Sequence, residues 1–299
     1  MRKTKRFTPA VLDRFRAEGR GTGVLEDYCP WHCVGRSDPS SRGRSHLVAW
    51  RDRQRHLLSD LEWVACCFSL MLPHLLDLRE QFPLSLESAR HELAAYDIGY
   101  AMRECPGTIE LAEDRRMRHP KVHGQGRSEP WVMTTDLLLT LRRPRARPEL
   151  LAVSCKFDKE LDSARAVEKL QLEQDYWRLR DVPWLLLTPK LYEESVALTL
   201  RHTMPEILSP QVPPHTRCVA ASITDDCWGH SLTLVLQRIA SQLGDLDLAK
   251  RAFWQSVWSG EILLDLRRGW RPHVPISPLA RSAFTELNPI ASRRSSWNA

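Results

Sequence analysis

The sequence lacks a long uninterrupted apolar segment. Its longest apolar run, residues 64–76, is broken by Ser69, Pro73 and His74 and is too short to span a bilayer. The first six residues, Met-Arg-Lys-Thr-Lys-Arg, also lack the apolar stretch of a secretion signal. We therefore expect no contact with a membrane and a place in a bacterial cytoplasm.

The sequence also lacks the cysteine spacing of a disulfide framework or a zinc site. Its eight cysteines are scattered. The tightest cluster, Cys29-Pro30-Trp31-His32-Cys33, has no second close Cys or His pair to complete a tetrahedral ligand set. We expect neither disulfides nor a structural zinc ion.

Charge restricts the class of partner only loosely. The formal net charge is +6, and Arg greatly outnumbers Lys, which suits recognition of phosphates by planar guanidinium groups. The same composition would follow from a GC-rich source. An acidic polymer is a plausible partner, but charge alone does not decide function.

The first part of the chain alternates helices and strands, which predicts a mixed α/β fold. Residues 106–130 have weak periodicity and are predicted to be a loop that lines a substrate groove. The predicted helices are residues 8–18, 59–72 and 162–180, and the predicted strands are 75–84, 131–142, 149–157 and 182–188.

Beyond residue 190 the periodicity changes to helices, so we predict domains of residues 1–190 and 191–299. Helices are expected at 192–206, 228–243 and 246–257, with a short strand at 260–266. A helical unit of this size suits docking to DNA or protein.

One carboxylate lies inside a segment that is otherwise suited to burial, Trp131-Val-Met-Thr-Thr-Asp136-Leu-Leu138. Burying an ionised carboxylate costs several kcal/mol unless a cation meets it. Pairing of strands 131–142 and 149–157 as a hairpin would bring Asp136 beside Lys156, and Glu62 could join them from the preceding helix. This arrangement is typical of Mg²⁺-dependent nucleases, but an ordinary salt bridge between Asp136 and Lys156 explains the spacing equally well.

Two arginine-rich segments are suited to lie along a phosphate backbone. One is the loop of residues 35–46, with Arg42 and Arg44, and the other is the turn with Arg143 and Arg145. Both segments would also be ordinary solvated loops.

Seven longer blocks narrow the interpretation. They are Gly19-Arg20-Gly21-x-Gly23, Asp27-Tyr28-x-Pro30-Trp31, Ser40-Ser41-x-Gly43-Arg44-Ser45-His46, His56-Leu57-Leu58-Ser59-Asp60-Leu61-Glu62, Asp77-Leu78-Arg79-Glu80-Gln81-Phe82-Pro83-Leu84, His119-Pro120 and Glu168-Lys169-Leu170-x-Leu172-Glu173-x-x-Tyr176-Trp177. In this order they resemble the TnsA family of transposon-end endonucleases, over roughly residues 8 to 190.

The resemblance implies a restriction-endonuclease-like core with a smaller, mostly helical, winged-helix-like C-terminal domain. It implies a Mg²⁺-dependent endonuclease subunit of a cut-and-paste transposase that cleaves the 5′ ends of transposon DNA. A DDE-type partner, TnsB, would process the 3′ ends. An AAA-type ATPase regulator, TnsC, would contact the C-terminal part.

The resemblance also implies the roles of individual residues. Glu62, Asp136 and Lys156 would be catalytic, with Glu62, Asp136 and the Cys155 carbonyl holding Mg²⁺, for which Mn²⁺ can substitute. The family typically has Gln two positions before the lysine, whereas this chain has Ser154. Residues expected to support the site, or else to be satisfied or surface groups, are Ser154, Glu168, Glu173, His119 and His123.

Two other functions remain open. Ser154 would fit a DNA-binding and assembly subunit of the same machinery that has lost catalysis. A free-standing restriction-type nuclease is the other alternative, although the C-terminal unit and the N-terminal blocks favour a transposase subunit.

Overall fold

The computed structural model describes residues 6–36, 38–40 and 44–297, and the chain divides into two compact units. The first unit contains residues 1–63 and 74–188, and the second contains residues 64–73 and 189–299. The first turn of the helix Asp60–Leu70 therefore belongs to the first unit and the remainder of that helix to the second.

The first unit combines helices with a mixed sheet, which confirms the predicted α/β class. Its helices are α1 Pro9–Ala17, the start of α2 Asp60–Leu70, α3 Thr108–Asp114 and α4 Ala164–Arg178. Its strands are β1 His46–Trp50, β2 Arg53–Leu57, β3 Leu75–Pro83, β4 Ala89–Arg90, β5 Glu104–Cys105, β6 Lys121–Gly124, β7 Arg127–Pro130, β8 Thr134–Leu141, β9 Glu149–Cys155 and β10 Trp184–Leu187. Four of them form the central sheet, in the order β10-β9-β8-β3.

The central sheet forms because the paired middle parts of β8 and β9 are aliphatic, with Leu137, Leu138 and Leu139 opposite Val153, Ala152 and Leu151. The two strands pair antiparallel, with Leu137 opposite Val153 and Leu141 opposite Glu149, so the predicted hairpin is confirmed. Tyr176 and Trp177 of α4 are fully buried in the core that covers this sheet. The apolar stripe of α4 thereby removes one sheet face from water.

Several strand and helix ends lie at the same end of the central sheet. Strands β9 and β10 are parallel, so both run toward this end, and the intervening α4 begins there. Strand β8 is antiparallel to β9 and starts at this end. Residues at the start of β8, just after β9 and at the start of α4 consequently lie at the same end of the sheet.

The prediction of a loop over residues 106–130 is wrong. This segment contains α3 and the antiparallel pair β6–β7. The helix has only seven residues, of which Thr108, Leu111 and Ala112 are buried, and β6 buries Val122 alone. Too few apolar positions remained for either periodicity to be visible in the sequence.

The described residues of the second unit from 189 onward are predominantly helical. The helices are α5 Glu194–Leu208, α6 Pro214–Asp225, α7 Leu232–Leu243, α8 Leu246–Trp258 and α9 Arg281–Glu286. The helix α6 is not among the predicted helices, because consecutive prolines such as Pro213-Pro214 are more typical of a loop. Proline is tolerated in the first turn, where its missing N–H has no helical acceptor.

The predicted strand at residues 260–266 is also wrong. Ile262, Leu264 and Leu266 alternate and are buried, yet in this segment Leu264 alone forms a bridge, to Pro278. Proline lacks the N–H needed to extend a ladder. Burial inside a helical unit, and not pairing in a sheet, accounts for the alternation.

None of the helices formed by the described residues has the length and apolar character that a bilayer crossing needs.

A buried histidine makes the stability of the first unit dependent on pH. His32 is 4% exposed, its ring stacks on Trp131 at a centroid distance of 5.7 Å, and its Nδ1 has no hydrogen-bond partner among the described residues. Burial lowers the pKa of His32 to about 4, and Arg20 contributes in the same direction against Asp38 and Asp136. The neutral ring is therefore the form that the folded protein stabilises.

Lowering the pH from 7 to 5 should destabilise the wild type relative to His32→Leu by about 2 kcal/mol. In the unfolded chain His32 binds a proton near pH 6.5, whereas in the folded chain it stays neutral down to about pH 4. The stability that the neutral ring contributes is therefore lost as the pH falls below 6.5. Denaturant unfolding of both proteins at the two pH values measures it. His123→Leu, which removes an exposed histidine, is the control, and an unchanged difference for His32→Leu would contradict the prediction.

Candidate active site

The start of α2 holds the carboxylate of Glu62 through its own cap. Ser59 precedes the helix, its Oγ accepts the Glu62 N–H at 3.1 Å, and its hydroxyl donates to Glu62 Oε1 at 3.1 Å. The Leu58 N–H donates to Glu62 Oε2 at 2.8 Å. The sequence Ser-Asp-Leu-Glu therefore forms a variant of the capping box, which fixes the carboxylate at the helix N-terminus.

Gln81 is a further residue of this site, and it was not predicted from the sequence. Its Nε2 donates to Glu62 Oε2 at 2.9 Å. Glu80 pairs with Leu137 and Phe82 with Thr135, so Gln81 lies opposite Asp136 on the neighbouring strand. Gln81 is 2% exposed and has a φ of 49°, and its carbonyl accepts the Trp31 N–H at 3.2 Å. Strand β3 also buries Asp77, Arg79 and Glu80, so polarity within the strand did not distinguish Gln81 in the sequence.

Asp136 is located where the ladder between β8 and β9 ends. The last pair at this end is Leu137 with Val153. Beyond it, Asp136 Oδ2 accepts the Cys155 N–H at 2.6 Å, and the Lys156 ammonium lies 3.1 Å from the same oxygen. The cation expected beside Asp136 is thus the Lys156 ammonium. The Asp136 carboxylate accepts the Cys155 N–H in place of the next backbone hydrogen bond of the ladder.

Both the backbone and the side chain of Lys156 donate hydrogen bonds to the sheet. Its backbone N–H donates to Leu187 O at 3.1 Å, and its Nζ donates to Cys155 O at 2.9 Å. Burial lowers the pKa of the ammonium, but the charge of Asp136, assisted by Glu173, outweighs it and raises the pKa overall. Lys156 therefore carries its positive charge at neutral pH.

The electrostatics of Glu62 show that two carboxylates share this site. Burial raises the pKa of Glu62 to about 8, and the negative charge of Asp136 adds to the effect, against the Leu58 N–H and Lys156. Glu62 is 6% exposed and Asp136 8% exposed. Two buried carboxylates in one field disfavour double ionisation unless additional positive charge is present.

Ser154 and Glu173 belong to a hydrogen-bonded cluster of their own, next to the end of the sheet that carries Asp136 and Lys156. The Ser154 hydroxyl donates to Glu173 Oε1, Thr135 Oγ1 donates to the same oxygen at 2.6 Å, and Trp184 Nε1 donates to Ser154 Oγ at 3.1 Å. Burial, followed by the charge of Asp136, raises the pKa of Glu173. Because Ser154 already donates and accepts, its hydroxyl is occupied within the protein.

Two of the predicted supporting residues lie apart from the carboxylates. Glu168 is on the exposed side of α4 and pairs with Arg165 at 2.7 Å. The ring nitrogens of His119 contact Thr108 Oγ1 and Pro120 O, each at 3.0 Å, and burial lowers the pKa of this ring. The contacts of His119 are therefore local, while His123 is exposed on β6.

The predicted DNA-contacting arginines fall at two different ends of the first unit. Arg44 is exposed and pairs with Asp60 at the start of α2, close in sequence to Glu62. Arg143 and Arg145 are in the turn after Leu141. Along β8, Leu141 is five positions, or about 17 Å, beyond Asp136. Arg42 lies outside the described residues.

The donor set fits a divalent cation that prefers oxygen ligands. Glu62 and Asp136 are carboxylates with too little nearby positive charge to ionise both freely, and Asp136 Oδ1 accepts no hydrogen bond within the described part of the chain. The Cys155 carbonyl is adjacent, although Lys156 contacts it. Among the described residues no three His, Cys, Asp or Glu side chains form a metal-holding group, so these two carboxylates would need oxygens from the backbone, water or substrate.

The fold and this site can now be compared with known proteins. Residues 73–189 match the family model of the TnsA-like endonuclease N-terminal domain. This stretch of the chain is accordingly similar to the endonuclease domain of the TnsA family.

A particular relative is the transposition protein TnsA of transposon Tn7 from Escherichia coli. The two chains are 33% identical over 186 residues, which are 62% of this chain and 58% of the relative. The match therefore spans less than two thirds of that relative's length.

Substitutions beside Glu62 should move its pKa in opposite directions. Asp136→Asn removes the neighbouring negative charge and should lower the Glu62 pKa from about 8, whereas Lys156→Met should raise it. Carbon-13 NMR titration of the glutamate carboxyl groups in metal-free protein measures both. Glu168→Gln, which changes a surface pair, is the control, and shifts of the same sign for the first two variants would disprove the shared field.

Proposed function

We propose that this protein is the metal-dependent DNA endonuclease subunit of a cut-and-paste transposase. The observation that supports this most directly is the contact of Asp136 with Lys156 at 3.1 Å beside the capped, buried Glu62. An ordinary structural salt bridge requires no second buried carboxylate in the same field. Similarity to the TnsA-like endonuclease domain and to TnsA of transposon Tn7 supports the same chemistry.

The proposed substrate is transposon-end DNA, cut at its 5′ ends, with Mg²⁺ as cofactor and Mn²⁺ as a substitute. The proposed partners are a TnsB-like DDE transposase for the 3′ ends and a TnsC-like AAA ATPase regulator. The proposed architecture is a restriction-endonuclease-like catalytic domain of residues 1–190 and a winged-helix-like docking domain of residues 191–299. The mixed sheet and the helices α5 to α9 are compatible with it.

In this proposal each residue of the site has one task. Glu62 and Asp136 hold the cation, and the Cys155 carbonyl and water complete its ligands. When bound, Mg²⁺ supplies a water of lowered pKa and offsets charge on the phosphate. Lys156, whose ammonium already donates to Asp136 and to Cys155 O, orients the attacking water or the phosphate.

A catalytically inactive DNA-binding and assembly subunit is the second candidate, and Ser154 is the feature that favours it. The hydroxyl occupies the position at which the family typically has Gln, and it is engaged by Glu173 and Trp184. Ser154 therefore contributes no ligand in this arrangement. In the nuclease proposal, Gln81 and the cap at Ser59 orient Glu62, and the Cys155 N–H and Lys156 orient Asp136, without it.

Asp136→Ala and Lys156→Ala should each lower 5′ cleavage of a labelled transposon end by about a thousandfold. The assay contains Mg²⁺ and the partner transposase, and strand-specific labels separate the two cuts. Lys159→Ala and Asp162→Ala, which change exposed residues nearby, are the matched controls. Thermal unfolding of each variant verifies that it is folded.

Loss of the 5′ cut alone would support the nuclease. If all variants and the wild type behaved alike while partner-catalysed 3′ cutting continued, the chain would be the inactive subunit. A protein that cut linear DNA without its partner would instead favour a free-standing nuclease.

Binding of Mg²⁺ at pH 7 should release about one proton per protein. With a pKa of about 8, Glu62 is roughly nine-tenths protonated at that pH, so a cation that needs the carboxylate displaces its proton. Calorimetric titrations in two buffers of different ionisation enthalpy give the number released. Glu62→Gln should release none, and equal release by wild type and variant would remove Glu62 from the ligand set.

A further inference from the structure

A cavity lined by arginines opens on the first unit between the end of α3 and the outer side of α4. Its volume is about 650 Å³, and its charged lining residues are Arg115, Arg116, Arg118, Arg165 and Glu168. A single carboxylate in the lining thus faces four guanidinium groups. This excess of positive charge suits an anionic ligand, and guanidinium groups bind phosphates with good geometry.

Two of these arginines have no side-chain partner among the described residues. Arg115 pairs with Asp175, and Arg165 pairs with Glu168 and donates to Arg118 O. By contrast, the side chains of Arg116 and Arg118 are exposed and form no hydrogen bond or ion pair with any described residue. Their donors are therefore available to a ligand, while Arg115 and Arg165 form the fixed wall of the cavity.

Arg116 also occupies a backbone position that favours glycine. The helix α3 ends at Asp114, and Arg116 follows with a φ of 54°. The Met117 N–H donates to Ala112 O at 2.8 Å, and the Arg116 N–H donates to Glu113 O at 2.8 Å, which closes the helix end. A residue with a side chain is strained in this left-handed conformation, so folding alone would prefer glycine there.

The cavity lies at the same end of the sheet as the candidate active site. Arg165 is in the first turn of α4, which begins at the edge where β9 ends and Lys156 follows. Lys169, one turn further, lies close to both: burial first, then the charges of Lys156 and Arg165, lower its pKa. Positive charge is therefore continuous from Lys156 through Lys169 to the cavity.

We propose that this cavity binds the phosphodiester backbone of the DNA next to the scissile phosphate, through Arg116 and Arg118. The inference rests on the proposed nuclease function, and it assigns DNA contacts that the sequence did not indicate. Arg165 and Lys169 shape the field along this path. The turn with Arg143 and Arg145 lies at the opposite end of the sheet and is not part of this proposed DNA path.

The test measures how binding to DNA depends on salt. The full-length protein in EDTA, which prevents cleavage, is titrated with a labelled duplex of about 30 base pairs, at NaCl concentrations from roughly 50 to 200 mM. One variant combines Arg116→Gly with Arg118→Gln, and the matched control combines Arg143→Gln with Arg145→Gln. Each pair of substitutions removes two unpartnered, exposed arginines.

The cavity variant should lower the slope of log affinity against log salt by about 2, which corresponds to two lost phosphate contacts. The control should retain the wild-type slope. Because Arg116→Gly relieves a left-handed residue, the cavity variant should unfold at a temperature no lower than that of the wild type. Weaker DNA binding without loss of stability is a combination that a purely structural role would not produce.

Three results would overturn the inference: an unchanged slope in the cavity variant, an equal fall in both variants, or no salt-dependent binding by the wild type. Failure of the proposed function would be distinct. In that case the slopes would still separate the two variants, but the wild type supplied with Mg²⁺ and partner transposase would make no 5′ cut.

Discussion

The stability of the first unit depends on the groups that neutralise the buried carboxylate of Asp136. The ladder between β8 and β9 stops one residue before it, and its carboxylate then takes the Cys155 N–H and the Lys156 ammonium. The Lys156 side chain is 29% exposed, so removing one partner should cost less than the roughly 3–5 kcal/mol typical of a fully buried pair. The end of the sheet is therefore held by the same groups that are proposed to work on phosphorus, so stability and reactivity are linked at this edge.

The second carboxylate depends on two local irregularities. Glu62 is held by the cap at Ser59 and by Gln81, which has a positive φ within strand β3. A strained residue persists where its surroundings determine it, and such residues concentrate at functional sites. Gln81 thereby connects the helix carrying Glu62 to the strand that lies beside Asp136, and the shared field that raises the pKa of Glu62 follows from that connection.

The arginines of the first unit are separated by their surroundings into structural and available groups. Arg53 binds both oxygens of Glu80 at 2.7 Å, and Arg180 pairs with Glu92 at 3.0 Å, each with its guanidinium buried. Arg116 and Arg118, in contrast, remain exposed beside the active-site end of the sheet. An Arg-rich composition therefore serves core ion pairs and also leaves exposed guanidinium groups for the proposed DNA contact, which net charge alone does not distinguish.

The sequence by itself determined the hairpin β8–β9, the helix α4 and the pairing of Asp136 with Lys156. Two aliphatic runs joined by the turn of residues 142–148 favour antiparallel pairing, which brings the start of the first strand beside the end of the second. The sequence did not determine α3, the strands β6 and β7, or α6, whose few buried positions carry weak periodicity. Gln81, the engagement of Ser154 by Glu173, and the separation of Arg143 and Arg145 from the site were decided by tertiary structure alone. Those properties depend on which distant residues meet across the sheet, and single-chain patterns contain no information on such contacts.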